Sequence, residues 1–265
     1  MNFKYFLGAL ISVPLLPVMY FQGVQIRKNV PILPEAKGTE GLNLQSSQKK
    51  LRILFIGEST IAGVGVKTHQ EGFAGTLANE LETKLDVKIE WKVYAKSGYT
   101  AKNVTRKIIP KIKENEVDVI IIGLGGNDTF TLNTPWKWKN DIRDLIKTLQ
   151  SRFKNVSIIF TNMPPIKEFP AFTKLTKFVL GNLVEILGEE LEGVVSNFEN
   201  VFYYSQTITI ENWIKKMNID AKPQDFFSDG VHPSKLTYQT WAKDFSNFIL
   251  HDIAIKGNLE QRIKI

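Results

Sequence analysis

From Leu51 onward the chain alternates short apolar runs with longer amphipathic stretches, and this rhythm restricts the fold more than any other feature. The runs Leu51–Ile56, Val87–Tyr94, Val117–Leu124, Val156–Thr161 and Val201–Ser205 read as strands. Helical patterns fall between them at roughly 73–84, 103–115, 138–153 and 171–191, and a last helix at 234–251 closes the series. Strands separated by helices imply βαβ units around a parallel sheet. Right-handed crossovers then place helices on both faces, and ligands bind beyond the carboxyl ends of the strands. Residues with chemistry to perform are therefore expected directly after strands.

The N-terminus reads differently. Lys4 precedes an uncharged, largely apolar stretch, residues 5–26, which Arg27 and Lys28 follow at once. About 20 apolar residues span the ~30 Å hydrocarbon core of a bilayer, whereas the apolar part of a cleavable signal is usually ~7–15 residues. A membrane anchor is the expectation, with a signal peptide or an interfacial helix as alternatives, since Pro14 and Pro17 interrupt a regular helix. The organisation is an anchor or signal segment 1–28, a linker 29–50, a catalytic-sized domain 51–252 and a tail 253–265. Localisation is expected to be membrane-anchored or exported, in the cell envelope.

Composition removes several function classes. The formal charge is +7, but residues 1–50 carry six basic and two acidic residues, which leaves only +3 for the domain. No Lys/Arg stripe with interleaved aromatics stands there, so no nucleic-acid partner is expected. There are no cysteines and three histidines, His69, His232 and His251. Thiolate chemistry is excluded and no metal site is expected. The chemistry falls to oxygen and one imidazole.

Three segments follow strands and a fourth precedes the last helix. Gly57-Glu58-Ser59-Thr60 comes after the first strand, where a serine hydroxyl can face the crevice while its own N–H points to where an anion develops. Ala95-Lys96-Ser97-Gly98 follows the second, and Gly123-Leu124-Gly125-Gly126-Asn127-Asp128 the third. Neither glycine cluster fits the dinucleotide or phosphate-loop pattern. Asp229-Gly230-Val231-His232-Pro233 precedes the last helix, a spacing that can set a carboxylate beside Nδ1 of the imidazole. Singly, each is more often a turn or a helix cap.

Taken in order, these four segments closely resemble the signature blocks of the SGNH/GDSL hydrolase family, over about residues 51–250. The resemblance implies a three-layer α/β/α sandwich, flavodoxin-like, with a five-stranded parallel sheet and no cofactor. It implies Ser59 as nucleophile, His232 as general base and then acid, and Asp229 as the carboxylate that orients it. The implied oxyanion hole is the Ser59 N–H, the Gly98 N–H and the Asn127 side-chain amide. One departure stands in the first block, where the family most often has Gly-Asp-Ser-Leu and this chain has Gly-Glu-Ser-Thr. Glu58, one methylene longer, can still hydrogen-bond nearby backbone and hold the loop.

The expected activity is serine hydrolysis of carboxylic esters, of a lipid, a lysophospholipid or a small acyl ester. A carbohydrate O-acetylesterase or acyltransferase with the same triad is the alternative, and a non-catalytic membrane-tethered module the remote one. Phe130, Leu132, Trp136, Met163, Pro164, Pro165, Phe169 and Phe172 follow the third and fourth strands and can wall an acyl pocket, or equally pack the core. The sequence leaves oligomeric state open.

Overall fold

The structure is a computed structural model that describes residues 3–42 and 49–263. Two N-terminal helices, α1 (Phe3–Ser12) and α2 (Leu16–Asn29), are joined by the 3-10 turn Val13–Leu15. Then come β1 (Glu40–Leu42), β2 (Lys50–Gly57), α3 (Phe73–Leu85), β3 (Lys88–Ala95), α4 (Ala101–Lys107) and β4 (Val119–Gly123). The short α5 (Gly126–Phe130) leads to α6 (Pro135–Arg152), β5 (Ser157–Phe160), α7 (Lys174–Val195) and β6 (Val201–Tyr203). Helices α8 (Ile210–Met217), α9 (Lys235–His251) and α10 (Ile253–Ile263) complete the chain.

The sheet order is β1-β3-β2-β4-β5-β6. Strands β2 to β6 run parallel and match the five runs expected from sequence, while β1 pairs antiparallel with β3. Both faces of the central strands are covered, which explains the unbroken apolar runs. Ile53 and Phe55 of β2, with Val119 and Ile121 of β4, pack in one layer with α3, α9 and α10. Leu54 and Ile56, with Ile120 and Ile122, pack in the other with α4, α6 and α7. Full burial of each such side chain is worth ~1.5–3 kcal/mol, against at most ~1 for an exposed ion pair. The two sheet–helix layers therefore hold the fold.

Four departures from the sequence reading have physical reasons. A sixth strand, β1, comes from the segment read as linker, whose residues 43–48 lie outside the described residues; Gly41 seats it over the Trp91 ring, where a Cβ would come within 2.4 Å. Helix α4 ends at Lys107, well short of 115, because Pro110 cannot continue it and a 3-10 turn, Ile109–Lys111, follows. The segment read as a tail folds as α10, with Ile255 and Leu259 buried in the α9 layer. The N-terminal apolar segment, expected as a membrane anchor joined by a linker, lies along α7: Lys4 pairs with Glu189, and Gln22 Oε1 accepts from the Thr173 hydroxyl.

Candidate active site

Ser59 sits just past the carboxyl end of β2, half-buried, in a helix-like turn. Its carbonyl accepts from Val64 N–H at 3.0 Å, and that of Glu58 accepts from Ala62 N–H at 2.8 Å. His232 stands on the loop before α9. Asp229 Oδ1 accepts from the backbone N–H of Val231 at 2.9 Å and of His232 at 2.7 Å, while Oδ2 lies 2.7 Å from His232 Nδ1. Burial pushes the Asp229 carboxyl up, but the His232 ring and these two backbone donors outweigh it and hold the group below the usual carboxylate range. The imidazole is thus oriented through one nitrogen, with its side chain 23% exposed and the carboxylate fully buried. Ser228 N–H closes the loop on the His232 carbonyl at 2.9 Å, and the Ser234 hydroxyl caps α9.

The two loops are neighbours. Gly65, with φ of +108°, lies so close to the Pro233 carbonyl that a Cβ there would come within 2.2 Å of its oxygen. Tyr238 of α9 donates to the Val64 carbonyl at 2.8 Å, and Thr60, Val231 and Pro233 line one cavity. The serine turn and the histidine loop are therefore held together by packing as well as by sheet topology.

Glu58 joins the serine turn to the third block. Its Oε1 accepts from Gly126 N–H at 2.8 Å, and its Oε2 accepts from Asn127 N–H at 2.8 Å and from Asn127 Nδ2 at 2.6 Å. Burial pushes the Glu58 carboxyl up to about 7, partly offset by the two backbone donors. The second Asn127 Nδ2 hydrogen reaches the Tyr99 carbonyl at 3.3 Å, which ties in the second block. Gly98, with φ of +81°, makes the turn before Tyr99 and has open space around its Cα. Thr100 and Asn103 then form a capping box that starts α4. Ser59, Gly98, Asp229 and His232 stand on loops and Asn127 in the first turn of α5, at the same edge of the sheet.

Asp128 belongs to the supporting shell and was not singled out from sequence. Buried, and pushed up to about 6 by that burial, it accepts from Ala101 N–H at 2.9 Å and from Asn133 Nδ2 at 2.9 Å. It fixes α5 against the start of α4. An aspartate immediately after the asparagine was the available signal, but its partners are set only by the fold.

Of the eight apolar residues read as a possible acyl wall, Met163, Pro164, Pro165 and Phe169 line the cavity beside Thr60, together with Leu124, Trp213, Phe227 and Trp241. That cavity holds about 50 Å³, and across Met163–Pro165 and Ile208 lies a larger cleft of about 420 Å³. Phe172 packs on Phe169 and Phe130, whereas Phe130, Leu132 and Trp136 face outward.

Residues 55–240 match the GDSL-like Lipase/Acylhydrolase family. No curated protein matches the chain in sequence. Among solved structures, a lipase from a goat rumen metagenome superposes with a TM-score of 0.54 at 17% identity, covering 74% of this chain and 96% of that one. A psychrotrophic esterase from a Pseudoalteromonas species gives 0.53 at 18% identity, covering 79% and 98%. An acetylxylan esterase from Geobacillus stearothermophilus gives 0.51 at 16% identity, covering 76% and 94%. At such identities these proteins share the fold of this chain.

Proposed function

Since the chain belongs to the GDSL-like lipase/acylhydrolase family and is an ester-hydrolysing enzyme, we propose that it cleaves acyl esters through a covalent acyl-enzyme on Ser59. The observation that carries this reading is the Asp229–His232 pair, one imidazole held at Nδ1 by a buried carboxylate that two backbone N–H groups fix in turn. With Nδ1 protonated, Nε2 is free to accept the Ser59 hydroxyl proton as Oγ attacks the ester carbonyl. The C–O bond to the alcohol then breaks, and His232 returns its proton to the departing alkoxide. Water, deprotonated by the same nitrogen, releases the acid and restores the serine.

The developing oxyanion needs donors already in place. Ser59 N–H, Gly98 N–H and Asn127 Nδ2 fill that role in this reading. The Asn127 bond to the Tyr99 carbonyl, at 3.3 Å, is the longer of its two and the one an oxyanion displaces, while Glu58 keeps the amide in position.

The cavity of about 50 Å³ beside Thr60 suits a short acyl group. A longer chain requires the flexible Met163 side chain to swing and join that cavity to the larger cleft. We place the enzyme at the cell envelope, held by its apolar N-terminal segment.

The test is hydrolysis of p-nitrophenyl esters of rising chain length, with acetylated xylan alongside. The proposal expects turnover that falls from acetate to palmitate and vanishes in Ser59→Ala. Wild-type-like turnover by that variant overturns it, and acetylated xylan preferred over every aryl ester moves the substrate to carbohydrate.

A further inference from the structure

The apolar N-terminal helix pair is docked lengthwise. Lys4 meets Glu189 near the C-terminal end of α7, and Gln22 meets Thr173 and Thr176 at its start, so the two elements run antiparallel. The separation of 18 positions between Lys4 and Gln22 spans about 27 Å of helix. A segment laid along a domain helix over that length cannot simultaneously cross hydrocarbon, yet its outer face exposes Phe3, Phe6, Leu10, Val13, Tyr20 and Phe21.

The exposed apolar surface continues onto the domain. Apart from the N-terminal helices, the large apolar side chains exposed among the described residues are Ile32, Leu42, Phe130, Leu132, Trp136, Phe178 and Ile253. Four of these, Phe130, Leu132, Trp136 and Phe178, are 40% to 74% exposed, and Leu132 and Phe178 lie against the helix pair. Leu132 and Phe178 share a groove of about 190 Å³ with Tyr5, Gly8, Val13 and Leu16. Trp136 lies one turn before Lys139 on the same face of α6, and Lys139 pairs with Glu190, the neighbour of the glutamate that holds Lys4. A contiguous apolar face of this kind marks an interaction surface. Three glutamates beside it are paired, Glu185 with Lys167, Glu189 with Lys4 and Glu190 with Lys139.

The same face leads to the active-site loops. Phe130 closes the short helix that carries Asn127 and touches Phe172, with ring centroids 5.9 Å apart. Phe172 touches Phe169 at 5.3 Å, and Phe169 touches Phe227 at 5.8 Å, two residues before Asp229.

We propose that this face, the outer side of the N-terminal helices together with Phe130, Leu132, Trp136 and Phe178, seats the catalytic domain flat on a lipid bilayer. The helices then lie within the interface instead of crossing it, with aromatic rings dipping into the acyl boundary. The ring contacts from Phe130 to Phe227 link that surface to the loop that carries Asp229, whose role rests on the hydrolase reading above.

Trp136 reports on the contact directly, because the other four tryptophans are at most 6% exposed. The full chain is mixed with phosphatidylcholine–phosphatidylglycerol vesicles whose acyl chains carry bromine, and Trp136→Phe serves to isolate its emission. The expected result is a blue shift and strong quenching of the Trp136 component. Vesicle-bound protein whose Trp136 emission stays unshifted and unquenched overturns the proposal, since the helices then tether a domain that stands clear of the lipid. Failure to bind vesicles overturns it as well. Turnover of p-nitrophenyl acetate by the same sample reads the hydrolase assignment separately, as quenching needs no catalysis.

Discussion

Replacing Asp229 with asparagine separates orientation of the base from stability of its loop. The carboxylate carries three bonds, two from backbone N–H groups on Oδ1 and one to His232 Nδ1 on Oδ2. In Asp229→Asn the amide oxygen keeps both backbone donors, so the amide nitrogen faces Nδ1. Two donors cannot meet at 2.7 Å, and the imidazole moves its proton to Nε2, the nitrogen that must accept from Ser59. The expected loss in kcat is up to about 10⁴, or about 5.5 kcal/mol of barrier. Stability should fall by about 2 kcal/mol, roughly 1 for each of the two retained bonds whose acceptor loses its charge. Asp229→Ala, by contrast, leaves both backbone donors without their acceptor at about 1–3 kcal/mol each. Turnover of p-nitrophenyl acetate and urea unfolding, measured on both variants, check the pair of effects. An Asp229→Asn enzyme within tenfold of wild type refutes the tautomer argument.

Asn127→Ala removes one oxyanion donor and should lower kcat by roughly 10²–10³ with a smaller change in KM; kinetics on the same ester decide it. Glu58 gives a pH signature, because burial raises its pKa from 4.5 to about 7 in the folded chain. The folded state then binds more protons than the unfolded one, so this group's stabilisation is full below pH 4.5 and is lost as pH rises through 7. At 1.36 kcal/mol per unit the loss is roughly 3 kcal/mol, visible as a shrinking gap between wild type and Glu58→Gln in urea unfolding from pH 4.5 to 8. Leu259→Ala empties a fully buried position under α9 and should cost about 2–5 kcal/mol, which thermal unfolding will register if α10 belongs to the core.

The five parallel strands were legible because both of their faces are covered, so runs such as Ile120-Ile121-Ile122 stand out without any periodicity. Helices α6 and α7 were legible from amphipathic period, their starts being fixed by the caps Thr134 and Thr173. Strand β1 was not, since Glu40-Gly41-Leu42 pairs on one side only and owes its place to a glycine passing over Trp91. Helix α10 escaped because two buried residues, Ile255 and Leu259, are too few to announce a core helix. Three of the site segments were legible from their position after parallel strands, whereas the approach of the histidine loop, which follows α8, and the claim of Glu58 and the Tyr99 carbonyl on the Asn127 amide depend on packing and hydrogen-bond directions that no spacing encodes.

The central claim is that Ser59 is activated by its neighbours. A fluorophosphonate probe reacts with such a serine and not with an ordinary surface hydroxyl. Incubation of the full chain with the probe, followed by peptide mass spectrometry, should find a single adduct on Ser59 that disappears in His232→Ala. A chain left unlabelled under conditions that modify other serine hydrolases, or one labelled elsewhere, contradicts the account.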